Sequence, residues 1–393
     1  MNTTLSAGRP MLALLLVLSL THGVIDLTSG ALIALLPAMR EAYSLSYALV
    51  GLIPLFANLT STFTQPIFGI ISDRSEMRWL LPLSLALAGL GLAAVGYVRS
   101  YWLVLAAAMV TALGSAAFHP EGAHAAHNLA GHRRALGMAI YSVGGNLGYA
   151  LGPGFAAALV AAFGLRGTGF AALLPLLLAA FLLRLLPRWR AHEREAVARQ
   201  REQSEAGETN WRGTVLITLV VILRSIIHLG MTTYVPFFWI DVLGNDPATA
   251  GLVQMTYLLA GVLGTLLGAP LADRFGTKPV LVASFALLLP VQAVLSTLRG
   301  WPLLIGLFAA GFLVVSTFTT TLVMTQEYMP RSLGLASGLN LGLAFGMGGV
   351  GTSVLGVIAD HYGVLAAMRV IAALVAPALL LTLVLPPVRL KRT

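Results

Sequence analysis

The stretch AAFHPEGAHAAH, residues 116–127, closes an apolar run that begins at Tyr101. It sets His119, Glu121, His124 and His127 beside Pro120 and Gly122. Imidazoles and carboxylates exchange protons and hold ions, so a cluster of them at the end of an apolar run asks for a chemical reason. Two other apolar runs carry groups of the same kind. His22 and Asp26 lie four residues apart, on one face of a helix, and Arg224 and His228 repeat that spacing. Pro120 removes a backbone donor within its segment, and irregular backbone at membrane depth needs a wet or protein-lined cavity. The stretch is therefore expected to face a solvated pathway rather than lipid.

The elements that must position these residues are apolar helices. Hydrophobic residues make up 58 % of the 393 residues and charged residues only 10 %, against about 25 % in an ordinary soluble domain. Twelve runs are long enough to cross a bilayer: 11–36, 47–71, 79–98, 101–125, 134–160, 167–186, 213–240, 248–272, 278–298, 301–327, 332–358 and 366–386. The expected fold is an all-α polytopic membrane protein of two six-helix bundles related by a pseudo-two-fold axis. The first run exceeds the length of a signal-peptide core and has no clear cleavage site, so it is read as a retained helix. The only long polar stretch, RWRAHEREAVARQREQSEAGETN, reads as a cytoplasmic linker over 187–212, partly helical, between bundles at 1–186 and 213–393. With a cytoplasmic N-terminus, 18 Lys and Arg residues fall on the cytoplasmic side and 5 outside, with Arg224 inside a span. That split puts both termini in the cytoplasm. It also accounts for the net charge of +9 without any nucleic acid. The absence of cysteine excludes disulfides and thiolate metal sites.

The halves echo one another. FGIISDR (68–74) matches GAPLADRFGTK (268–278), RALGMA (134–139) matches RSLGLA (331–336), and HGVID (22–26) matches the spacing of RSIIH (224–228). The offsets of 200, 197 and 202 residues argue for a duplicated six-helix unit. Transporter folds are often built this way, with the substrate site at the repeat interface near the midplane.

Ionisable residues well inside the spans sort with the repeat. His22 and Asp26 lie in the first span, His119 and Glu121 in the fourth, Arg224 and His228 in the seventh, and Glu327 and His124 nearer the ends of the tenth and fourth. A charge at a helix centre costs roughly 2.5–3.5 kcal/mol on insertion scales, so such groups turn to an interior cavity and pair. Asp26 and Glu121, with His22 and His119 beside them, are the proton-coupling candidates. A cation moving relative to a carboxylate changes its proton affinity. Arg224 is a permanent cation suited to an anionic substrate group such as a carboxylate or phosphonate. His228, Tyr141, Asn146, Tyr234, Tyr257 and Asn340 join it as substrate-binding candidates, with Phe237 and Trp239 as further pocket-shaping aromatics. The alternative for every one of these polar residues is interhelical glue. A metal held by His119, Glu121 and His124 is a further alternative in terms of ligand type, but the spacing is no known metal motif and no metal is expected. The glycine-rich runs GGNLGYALGPG (144–154) and GLNLGLAFGMGGVG (338–351) allow close helix approach.

These residues resemble the major facilitator superfamily and, within it, the fosmidomycin resistance protein family. THGVIDLTSGALIALLPAMREAYSLS and QPIFGIISDR are similar to that family's first hairpin, FHPEGAHAAH and SVGGNLGYALGP to its fourth and fifth helices, and TQEYMPRSLGLASGLNLGLAFGMGGVG to its tenth and eleventh. The resemblance covers nearly the whole chain. It implies a proton-coupled exporter of drugs or small metabolites that works by alternating access. It also makes Asp73, Arg74, Asp273 and Arg274 gating or structural residues of the Asp-Arg loop motif. GYALGP, with Gly152 and Pro153, resembles the antiporter motif of the fifth helix. Three departures stand out: Glu76 replaces the loop glycine that the second copy keeps as Gly276, Ala156 and Ala157 replace trailing glycines, and His124 stands where the family carries a base. The last leaves the charge balance of Glu121 open.

The chain is thus expected to be no enzyme and to use no cofactor. It is expected to be a monomeric multi-pass protein of the bacterial inner membrane whose partners are a small-molecule substrate, protons and the lipid bilayer. An organic-anion importer or facilitator, a transporter-fold receptor, and a metal-dependent membrane enzyme are the alternatives. No nucleotide-binding loop is present.

Overall fold

The computed structural model describes residues 4–74, 78–130, 134–197, 209–329, 336, 340 and 344–386. Each of the twelve apolar runs carries helix, and no strand occurs among the described residues. In a bilayer every backbone polar group must be satisfied within the protein, and a helix does this by itself. Helix α1 spans Thr4–Ala34, α2 Leu36–Tyr43, α3 Tyr47–Arg74, α4 Leu80–Ala94, α5 Tyr101–Ala130 and α6 Arg134–Phe163. A 3₁₀ segment, Leu165–Ala172, leads into α7, Leu173–Val197. The second half holds α8 Trp211–Phe237, α9 Pro247–Phe275, α10 Thr277–Leu295, α11 Gly300–Tyr328, α12 Ala344–Tyr362, α13 Val364–Ala373 and α14 Val375–Leu383. Among the described residues ten stretches are long and apolar enough to cross a membrane, and α4 is a shorter apolar helix.

Local chemistry sets the ends. Asn210 Oδ1 accepts from the Gly213 N–H at 2.9 Å to open α8, and Asp246 Oδ1 accepts from the Ala248 N–H at 2.9 Å to open α9, with Pro247 at its first position. Gly276 separates α9 from α10 at φ 93°, a backbone region closed to most side chains. The glycine kept in the second Asp-Arg loop is therefore required by the turn. Glu76, its counterpart in the first half, lies outside the described residues.

The chain divides into two compact units, one of Met1–Leu32 with Thr60–Gln203 and one of Ile33–Leu59 with Ser204–Thr393. In the first, α1 and α6 meet through glycine. A Cβ on Gly23 would stand 2.9 Å from the Gly144 carbonyl oxygen, and one on Gly152 would stand 2.7 Å from that of Leu27. Gly148 lies directly against the backbone of Gly23. Ser19 Oγ donates to the Ile140 carbonyl at 2.7 Å along the same seam. Leu18, Ile25, Leu85, Phe118 and Leu182 fill the adjacent core. Without a hydrophobic drive between helices in lipid, this close approach supplies the packing energy.

In the second unit, Gly264, Gly268 and Gly311 bring α9 and α11 together, and a Cβ on Gly268 would stand 2.7 Å from the Ser316 carbonyl oxygen. The segment 33–59 joins this unit through polar ties. Asp360 of α12 accepts from the backbone N–H groups of Tyr47 and Ala48 at 2.6 and 2.8 Å, capping α3 from a distant helix. The Tyr47 hydroxyl donates to Asp241 at 2.6 Å, and Arg40 lies 3.6 Å from that carboxylate and 4.0 Å above the Tyr47 ring.

Replacing Gly148 by valine forces α1 and α6 apart and is expected to cost about 1–3 kcal/mol. Thermal unfolding in detergent reads this directly. Gly148→Val should unfold at a lower temperature than a control at exposed Leu151, Leu151→Val, and equal midpoints would rule out the glycine seam as a source of stability.

Candidate functional site

Three helices of the first unit deliver one polar cluster. His22 and Asp26 project from the same face of α1, as their spacing requires, and His119 arrives from α5. His22 Nε2 lies 3.2 Å from Asp26 Oδ2, and His119 Nε2 lies 3.3 Å from Asp26 Oδ1. One carboxylate is thus clasped by two imidazoles. The other nitrogen of each ring is already committed. His22 Nδ1 lies 2.8 Å from the Tyr141 carbonyl oxygen, and His119 Nδ1 lies 2.7 Å from that of Ser115. A carbonyl only accepts, so each Nδ1 carries a hydrogen and donates it. A neutral ring then presents a bare lone pair at Nε2, toward an acceptor oxygen. Each of the two contacts becomes a hydrogen bond only when a proton occupies it, on the ring or on the carboxyl. The cluster therefore has places for two exchangeable protons beyond those fixed on Nδ1.

The surroundings hold these groups in place. The Tyr141 ring stacks on His22 at 4.1 Å, and Phe118 lies 5.6 Å away on the other side. A Cβ on Gly145 of α6 would stand 2.7 Å from Asp26 Oδ2, so this position also needs a glycine. The His119 side chain is 32 % exposed and that of Asp26 17 %, which leaves the cluster reachable by solvent. The buried Tyr141 hydroxyl has no partner among the described residues.

Glu121, two residues from His119, takes another course. It is fully buried and pairs with Arg78, itself buried just before α4. Arg78 is one of the 18 basic residues counted on the cytoplasmic side, and the structure makes it the counter-ion of Glu121, whose charge balance His124 left open. The unbalanced glutamate was the sequence signal, but nothing in the local pattern pointed across 43 residues to Arg78. The metal alternative is also divided by this pair, since Glu121 turns to Arg78 and His119 to Asp26. Among the described residues the trio with ligand-type atoms within 4.8 Å of one another is His22, Asp26 and His119.

The second unit carries the permanent cation. Arg224 of α8 is fully buried, and among the described residues no carboxylate pairs with it. Its Nη1 donates to Thr321 Oγ1 at 2.8 Å, and its guanidinium lies 3.7 Å over the Phe318 ring. Neither contact neutralises a charge. Arg224, Ser225, His228, Phe318, Asn340 and Phe345 line a small cleft. His228 Nδ1 lies 3.1 Å from the Tyr257 hydroxyl, which fixes the ring at the edge of the cleft.

The other candidates fall elsewhere. The Tyr234 hydroxyl donates to the Thr352 carbonyl at 2.7 Å, a tie between helices. Tyr141 belongs to the imidazole cluster. Asn146 is half-buried on α6, Gly152 sits in the seam with α1, and Pro153 is buried within α6. Asp273 and Arg274 are exposed at the end of α9, with Arg274 5.2 Å from the Phe275 ring. The side chains of Asp73 and Arg74 lie outside the described residues.

Comparison with known proteins gives a consistent picture. The model of the Major Facilitator Superfamily matches residues 18–247 and 220–393. The chain is 32% identical to the fosmidomycin resistance protein of Escherichia coli (strain K12), over 90% of this chain and 88% of that one. It is 31% identical to the MFS-type transporter YfnC of Bacillus subtilis (strain 168), over 94% of this chain and 92% of the relative. The crystal structure of a bacterial homologue of the human lysosomal transporter Spinster superposes with a TM-score of 0.77, covering 98% of each chain at 16% identity.

Breaking the buried Arg78–Glu121 pair from one side is expected to cost about 3–5 kcal/mol, as for buried ion pairs in general. Arg78→Met and Glu121→Leu should each lower folded yield and melting temperature sharply, while the double replacement recovers most of the loss. A double variant as unstable as the sum of its parts would disprove mutual neutralisation.

Proposed function

The chain belongs to the major facilitator superfamily, and we propose that within it this protein is a proton-coupled exporter of a small anionic drug or metabolite, exchanging substrate for protons by alternating access. The observation that carries the reading is the carboxylate of Asp26 between His22 and His119, where two contacts each ask for a proton. The groups facing that carboxylate are the two imidazoles, with the Tyr141 ring and Gly145 closing the cluster from α6.

Asp26 is the carrier in this reading, and its imidazole partners set when it takes and gives up protons. Protons enter the cluster from outside and leave to the cytoplasm as substrate moves the other way. Glu121 holds its charge against Arg78 and serves the coupling by fixing α5, the helix that carries His119. Arg224 holds the acidic group of the substrate, since a guanidinium recognises a carboxylate or phosphonate through paired N–H donors. The relative named for fosmidomycin resistance supports the outward direction. The GYALGP run, whose glycines form the α1–α6 seam, supports it as well. The 18 to 5 division of basic residues supports an inner-membrane protein with both termini in the cytoplasm. Nothing in the reading needs a second copy, and we assign a monomer.

Proteoliposomes with an internal pH dye test the proposal, with fosmidomycin and a panel of organic anions as solutes. Wild type should dissipate an imposed pH gradient when solute is added, and Asp26→Asn should abolish that proton movement. His119→Gln should slow it. Solute flux that proceeds without proton movement, and equally well in Asp26→Asn, would replace the antiporter by a facilitator. Uptake with the proton gradient rather than against it would make the protein an importer.

A further inference from the structure

Among the described residues, two polar atoms in the Arg224 cleft have no partner, and they are of opposite kinds. Arg224 Nε is a buried donor without an acceptor, and Asn340 Oδ1 is a buried acceptor without a donor. Both side chains are almost completely enclosed, at 0 % and 2 % exposure, and both line the same cleft. A buried polar group left unpaired costs about 1–3 kcal/mol, so two such atoms in one cleft describe the molecule that would satisfy them.

The remaining atoms of both residues are occupied in ways that fix their orientation. Asn340 Nδ2 donates to Thr325 Oγ1 at 3.2 Å, which leaves Oδ1 as the free end of the amide. Arg224 is held by Thr321 on one side and the Phe318 face on the other. A plain carboxylate or other fully acceptor anion answers Arg224 and leaves Asn340 Oδ1 unmet, or brings an oxygen against it. An anion with its own hydroxyl beside the acid answers both.

We infer that the cleft selects an organic anion that carries a hydrogen-bond donor next to its acidic group, a hydroxy acid rather than a plain carboxylic acid, with Arg224 on the acid and Asn340 Oδ1 accepting from the hydroxyl. The apolar side chains of Leu229, Phe318, Ala344 and Phe345 line the same cleft. The inference rests on the reading of Arg224 as the anchor of the substrate and adds to it a rule of selection. Asn340 is a specificity-determining residue in it.

Mandelate and phenylacetate differ by a single hydroxyl beside the carboxylate, and their binding to the purified protein in detergent is the test. Isothermal titration on wild type should give an affinity for one mandelate enantiomer about tenfold above that for phenylacetate, the factor that about 1.4 kcal/mol supplies. In Asn340→Leu that preference should fall to near unity, with phenylacetate binding retained as the sign that the cleft is intact. Arg224→Gln should remove both. Equal wild-type affinities, with both ligands still lost in Arg224→Gln, would overturn the hydroxyl rule and leave the anion anchor standing. Binding of neither acid to wild type, or binding that survives Arg224→Gln, would overturn the anchor and the rule together. The wild-type ratio decides the matter even if Asn340→Leu does not fold.

Discussion

Charge inside a bilayer must be answered inside the protein, because hydrocarbon offers no water to do it. Each buried ionic centre of this molecule answers that constraint differently. Glu121 has a full counter-charge in Arg78 and is closed off. Asp26 has two imidazoles, whose contribution depends on where the protons are. Arg224 has hydroxyl oxygen and an aromatic face but no carboxylate among the described residues. A closed pair is suited to holding helices, a proton-dependent pair to coupling, and an open cation to receiving an anion. The three centres differ in how completely each is compensated.

The same constraint explains the glycines. Asp26 meets one imidazole from its own helix and one from α5, and beside them α1 and α6 approach closely only because side chains are absent. Gly23, Gly144, Gly148 and Gly152 form the seam between α1 and α6, and Gly145 leaves room for Asp26 itself. The glycine runs are therefore part of the polar chemistry as well as of the packing. They bring the Tyr141 carbonyl close enough to orient His22, and that orientation sets the bare nitrogen against Asp26.

The two halves, which echo one another in sequence at an offset of about 200 residues, do not carry two copies of one site. His22–Asp26 in the first half corresponds to Arg224–His228 in the second, with an acid in one and a base in the other. One half sets a carboxylate between two imidazoles and the other presents a cation. The segment 33–59 adds a further asymmetry, since it packs into the same compact unit as the second half through Asp360, Asp241 and Tyr47.

The sequence by itself determined the helices, because hydropathy and length suffice where every spanning element must satisfy its own backbone. It also determined which residues were costly enough to matter, and the spacing that sets His22 and Asp26 on one face. Only the tertiary structure decided the partners. Asp26 meets His119, and Glu121 meets Arg78 in place of the family's local base, while Tyr234 turned out to be a tie between helices. Hydropathy reports that a charge lies in an apolar run, and helical periodicity reports which face carries it. Neither carries information about which distant helix supplies the answering group. That choice rests on close packing through the glycine seams and on side-chain reach between residues some forty to a hundred positions apart.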